Sequence, residues 1–216
     1  ISLLCCFQTA NADLRVAGIF GDNMVLQRDV EVPIWGWASA NDEIQISARD
    51  QVIKTRADAD GKWMARFKPM DLGDPFEIRI AGPDDTITLE NVLVGEVWIC
   101  SGQSNMEWPV AASSNADEEI AAAQFPLIRQ VKIPHQIAMQ PQPDAQSSGW
   151  QICSPETVGN FTAVGYYFAR HLHQELDVPI GLINSSWGGT MVEAWTSADS
   201  LDSHPDFADR MKQIAR

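Results

Sequence analysis

Gly95 to Trp108 reads GEVWICSGQSNMEW, an apolar strand that runs into a Gly-Gln-Ser-Asn turn. A serine hydroxyl is a poor nucleophile in water. It becomes a useful one at a fixed backbone position, beside a base and beside amide donors that hold an oxyanion. In open α/β sheets ligands collect outside the carboxyl ends of the strands, and Val94, Val97, Trp98 and Ile99 make Ser101 to Asn105 such an end. Ser104 is therefore read as a nucleophile. The same tetrapeptide is also ordinary turn chemistry, because Gly tolerates positive φ while Ser and Asn bond their own backbone. Its surroundings decide between the two.

A second block of the same kind spans Ile180 to Trp195, IGLINSSWGGTMVEAW, where another apolar run ends in polar residues and two glycines. Two such strand ends can face one crevice. The chain also carries GIFGDNMVLQR at Gly18 to Arg28, VPIWGWA at Val32 to Ala38, DGKWMARF at Asp60 to Phe67 and FTAVGYYFARHL at Phe161 to Leu172. In this order the blocks resemble the sialate O-acetylesterase family, carbohydrate esterases built on the SGNH hydrolase fold. The resemblance implies that Ser104 is the nucleophile and that its own N–H is one oxyanion donor. Gly188 or Gly189 would supply a second N–H, a role that suits a glycine because no Cβ obstructs the substrate carbonyl.

The sequence departs from the family's pattern in two places. The Gln-Gly-Glu string expected to supply a further donor is absent, and so is the Asp-x-x-His block that supplies the base; the nearest approach is Asp202-Ser-His204. The expectation is an N-terminal fragment cut inside the catalytic domain, nearly inactive alone, since a serine hydrolase without its base loses most of its rate. His171 and His173 lie on an expected helix over 160–176 whose apolar stripe would be Phe161, Val164, Phe168, Leu172 and Leu176, and both read as surface or boundary side chains. His135 and His204 fall in proline-bearing, loop-like sequence.

A formal net charge of −14 and a pI near 4.5 make a phosphate backbone or an anionic membrane surface repulsive, so nucleic acid is not an expected partner. The same field opposes an acidic sugar, which would need a local Arg or Lys for its carboxylate. The opening ISLLCCFQTANA reads as the remnant of a secretory signal over residues 1–12, with Ala10-Asn11-Ala12 as the cleavage pattern, and implies a secreted or periplasmic protein. Its apolar run is too short to span a bilayer. Of the two cysteines beyond it, Cys100 reads as a small buried side chain. No zinc-type ligand spacing occurs, so neither metal nor cofactor is expected. Asn160-Phe-Thr and Asn184-Ser-Ser fit the glycosylation pattern.

Residues 13–91 show short alternating strands separated by turns such as Asp60-Gly61, the pattern of a small β-sandwich. Residues 92–216 change to strand, loop, helix and strand, the beginning of an α/β SGNH-like three-layer domain. Pro134 to Gly149 reads as a loop or a lid. Trp108 and Trp187 are candidate sugar platforms and Glu193 a candidate hydroxyl partner, whereas Trp98, inside the strand, reads as core or crevice wall. Glu107, which also flanks the first block, could likewise bond a hydroxyl or orient a neighbour, although a charged loop residue is most often solvated. The leading function is hydrolysis of O-acetyl esters of sialic acids. The alternatives are an esterase for acetylated xylan or another polysaccharide, and a non-catalytic glycan-binding module.

Overall fold

Alternation in the N-terminal sequence becomes alternation of burial. In β3 (Val32–Trp37), β4 (Glu43–Ala48) and β6 (Lys62–Phe67) every second side chain is buried, as expected of strands with one face on a core. The computed structural model describes residues 13–138 and 140–207; the secretory remnant expected over 1–12 lies outside them. With β1 (Arg15–Val16), strands β3 and β6 make a three-stranded antiparallel sheet in the order β1-β3-β6. The larger sheet adds β2 (Val25–Gln27), β5 (Gln51–Arg56), β7 (Phe76–Ala81), β8 (Thr86–Gly102), β9 (Phe125–Lys132), β10 (Trp150–Cys153) and β11 (Ile180–Ser186). Its order is β10-β9-β11-β8-β7-β4-β5, with β2 also on β8. The pairs of β11 with β8 and β9 are parallel, while those at the two ends are antiparallel. A mixed sheet flanked by helices is consistent with an SGNH-like α/β fold.

Two cores lie along this sheet. One joins Ile34, Trp63 and Phe67 to Ile44, Ile46, Ile78, Ile80 and Val92. The other lies around Ile128, Phe161, Tyr166, Ile180 and Leu182. β8 is common to both halves and runs through Asn91 without a linker, Asn91 itself standing at φ 55°. Gly95 lies where β8 begins to pair with β11, against the preceding Pro179: a Cβ there would lie 2.1 Å from the Pro179 carbonyl oxygen.

Three expectations are corrected. Trp98 is not core: it is 44% exposed and edge-on to Phe168 at 4.9 Å, and Ile99 is 70% exposed. The reason is that β8 beyond Gly95 pairs only with β11 among the described residues. The helix α3 (Ala163–Leu176) forms as expected and Phe161 and Leu172 of the expected stripe pack on the core, but its buried residues are Ala163, Gly165, Tyr166 and Ala169, while Val164, Phe168 and Leu176 are exposed. Asn184 is buried with its side-chain oxygen on Ser186, so that sequon is not accessible. The remaining helices are short: α1 (Ser104–Glu107), α2 (Ala116–Ala122) and α4 (Ala198–Asp202). Among the described residues no helix is long and apolar enough to cross a membrane.

Candidate active site

Parallel register carries β8 and β11 to a common end, Ile180 opposite Glu96 through Ser186 opposite Gly102. The Trp187 N–H then donates to the Gly102 carbonyl at 2.9 Å, which ties the two loops just beyond the strands. Gly102 stands at φ +135°, a conformation open to glycine. Gln103 is extended, and Ser104 opens α1 with its side chain exposed. As the first residue of a helix its N–H has no intrahelical acceptor. The turn is braced from beneath: Thr162, which caps α3, donates from its N–H to Gln130 and places its hydroxyl 3.6 Å from the Met106 sulfur.

Gly188 stands directly against Ser104. A Cβ at Gly188 would lie 3.5 Å from both Cα and Cβ of Ser104 and 3.0 Å from a Glu107 oxygen. Gly189 is at φ +78° and faces open space. The two glycines therefore differ: Gly188 touches the nucleophile candidate, and Gly189 supplies the turn.

Glu107, one helical turn after Ser104, binds both loops. It accepts from the Gly188 N–H at 2.6 Å and from His135 Nε2 at 2.8 Å, with Lys132 Nζ at 3.6 Å. Burial pushes its carboxyl up, but the Gly188 N–H and the charges of His135 and Lys132 outweigh that and hold it below the usual carboxylate range. Of its two expected roles, solvated or orienting a neighbour, the second is the one these contacts fit. His135 also lies 3.0 Å from the Ser186 carbonyl and stacks on Trp187, centroids 4.3 Å apart and planes 3° apart. Both partners of Nε2 are acceptors, so Nε2 carries the proton.

Beyond Trp187 opens a cavity of about 760 Å³. Ile19 in the turn after β1 and Trp35 on β3 form one side, residues 133–138 and 142–145 another, and Trp187 and Trp195 the third. Ser104 does not line it; the wall reaches the site through Trp187 and its neighbour Gly188. The loop from Pro134 to Gly149 spans this side of the molecule. His135 is fixed at the site, and Asp144 is fixed to Arg15 at 2.9 Å and to the Gly18 N–H at 2.9 Å.

Other expected residues lie apart. Trp108 is 53% exposed, donates to the Ala112 carbonyl and does not line this cavity. Glu193 is half-buried in the single turn Val192–Trp195. His171 is exposed, His173 is occupied by the Val178 carbonyl, and His204 is exposed and 3.9 Å from Asp206. Cys100 and Cys153 are both buried and unpaired, and burial pushes their thiols up to about 11 and about 12.

Residues 94–216 match a family model described as carbohydrate esterase, sialic acid-specific acetylesterase. The sialate O-acetylesterases of Homo sapiens and Pongo abelii are each 33% identical to the chain, over 92% of it and 42% of their own length. The crystal structure of a novel carbohydrate acetylesterase from Xanthomonas citri superposes with a TM-score of 0.85 at 40% identity, over 88% of this chain and 44% of that one. The chain thus spans about two fifths of the length of these relatives. With the family model matched over more than half of the sequence, the chain belongs to the carbohydrate esterase family of sialic acid-specific acetylesterases.

Proposed function

We propose that the protein hydrolyses O-acetyl esters of sugars through an acetyl-enzyme intermediate on Ser104. The observation that carries this reading is the contact of Ser104 with Gly188, which brings the two strand ends together around one exposed hydroxyl. In the first step Ser104 Oγ attacks the acetyl carbonyl carbon and its proton passes to a base. The tetrahedral oxyanion is held by backbone N–H groups, that of Ser104 and that of Gly189, since the Gly188 N–H is taken by Glu107. Collapse breaks the ester C–O bond, and the sugar hydroxyl leaves with the proton. Water then attacks the acetyl-serine and releases acetate and free Ser104.

Among the described residues no histidine is hydrogen-bonded to Ser104, and His135 is committed to Glu107 and Ser186. Without a base on Ser104 the described residues alone are expected to turn over slowly. Residues 13–91 are read as a small β-sandwich that supports the catalytic part rather than as a separate binding module, because Trp35 and Arg15 reach the same side as His135. Residues 1–12 are read as part of a secretory signal, so export belongs to the reading, and mature protein beginning at Asp13 would bear it out.

A fluorophosphonate probe tests the central step. It is expected to label the intact protein on the peptide containing Ser104 and to abolish acetate release from a small acetyl ester. Labelling elsewhere with activity lost, or activity retained by fully labelled Ser104, would contradict the assignment.

A further inference from the structure

We propose that the cleft between the N-terminal strands and the loop after β11 is a subsite for the neighbouring units of a neutral sugar chain. The acetylated sugar offered to Ser104 then belongs to an oligosaccharide. The inference rests on the esterase reading for what the cleft adjoins, and on the cleft's own chemistry for what it accepts.

Its volume of about 760 Å³ falls within the range of roughly 300–1,000 Å³ typical of ligand sites. Three indoles from separate segments line it: Trp35 on β3, Trp187 after β11, and Trp195 on the following turn. Each is held. Phe20 packs edge-on to Trp35 at 4.6 Å, His135 stacks on Trp187 at 4.3 Å, and Trp195 Nε1 donates to Thr190 at 2.8 Å. Aromatic platforms already fixed in place lower the ordering cost of binding. The C–H faces of sugar rings carry slight positive charge and pack on the negative face of an indole. The side-chain amides of Gln136 and Gln142 add donors and acceptors for hydroxyl groups.

Charge selects a neutral occupant. No Lys or Arg lines the cleft among the described residues. The ionisable groups in its wall are already paired: His135 with Glu107, and Asp144 with Arg15, whose guanidinium lies 3.6 Å over the Trp37 ring. Lys132, the cation that reaches the site, has its ammonium on Glu107. A sugar carboxylate placed in this cleft would lose hydration without gaining a cation, in a chain of net charge −14. A neutral chain incurs neither cost. The direction fits too, because the cleft wall passes through Trp187 to Gly188 and so to Ser104.

Binding of unacetylated tetrasaccharides of β-linked xylose or glucose to the intact protein, measured by calorimetry beside N-acetylneuraminic acid, tests the proposal without requiring turnover. A neutral tetrasaccharide is expected to bind more tightly than N-acetylneuraminic acid. Trp35→Ala is expected to raise its Kd about tenfold, as truncation of a buried Trp contact does. Trp195→Ala, on an exposed turn, gives a second variant with the same expected direction should the first fold poorly. Tighter binding of N-acetylneuraminic acid, no binding of either tetrasaccharide, or binding that neither variant alters would overturn it. Acetate release by the same preparation is scored separately. Tetrasaccharide binding without esterase activity would sink the esterase reading and leave the cleft, whereas activity on small acetyl esters without tetrasaccharide binding would sink the cleft and leave the esterase.

Discussion

Glu107 joins three groups that arrive from three different segments: Gly188 after β11, His135 on the long loop, and Lys132 at the end of β9. Its carboxylate fixes the distance between the Ser104 turn and the glycine turn. Because its pKa is lowered in the folded state, its contribution is complete above the ordinary carboxylate range and is lost as pH falls through the lowered value; acid, not alkali, opens the clamp. Glu107→Gln keeps the shape and removes the charge. We expect kcat/KM of the intact protein on a small acetyl ester to fall about tenfold or more, the cost of a charge-assisted bond. The acid-side decline of Tm should also become shallower than in the wild type, measured between about pH 3 and 6. An unchanged pH profile would show that Glu107 does not clamp the loops. The sequence made Ser104 and the two glycines legible, because strand-turn patterns are local. It marked Glu107 as a flanking carboxylate but not its partners, which lie 81 and 28 residues away, although its place three residues after Ser104 put it on the same helical turn.

The helix α3 shows why apolarity alone misplaces a face. Its extent was readable from the periodicity and from the stop at Val178-Pro179, yet the larger apolar residues Val164 and Phe168 lie on its exposed side. Close approach to the sheet selects small residues instead: a Cβ on Gly165 would stand 2.8 Å from the Cys100 sulfur. Tyr166 is the large member of the packed face, and its hydroxyl donates to Glu119 at 2.7 Å, beside Arg170, which pairs with the same carboxylate. Glu119 is thereby held below the usual carboxylate range: burial raises it, and the Tyr166 and Arg170 bonds more than compensate. Tyr166→Phe is expected to cost about 1 kcal/mol, and Val164→Ser less than about 0.5 kcal/mol, both read from urea unfolding. The reverse order would mean that the faces are assigned wrongly. β8 carries the same lesson, since an apolar run reads as buried whether its edge is covered or not, and Trp98 and Ile99 lie where β11 is the strand's sole described partner.

Across the whole molecule the two cores are joined by β8 and by one buried cation. Arg129 on β9 is 3% exposed and has no carboxylate partner among the described residues. Its guanidinium donates to the carbonyls of Asn23, at 2.9 Å, and of Asn91, and to the Asn91 side chain at 3.2 Å. Burial lowers its pKa to about 10, so it stays charged at neutral pH and gathers carbonyls beside the left-handed residue Asn91 of β8. Arg129→Met would leave those acceptors buried and unpaired, at a cost of about 3 kcal/mol, visible as a lower urea midpoint. No change would remove Arg129 from the joint. The strand content of the N-terminal half was legible in alternation and turn residues. The joint was not, because a lone Arg in an apolar strand does not announce carbonyl partners from two distant segments.

The most direct test of the account is acetate release from an O-acetylated sugar by the intact protein carrying Ser104→Ala. Ser104 is exposed and makes no core contact, so the account predicts an unchanged Tm and a rate lower by at least about a thousandfold. Activity within a few-fold of wild type in a folded Ser104→Ala protein would contradict it.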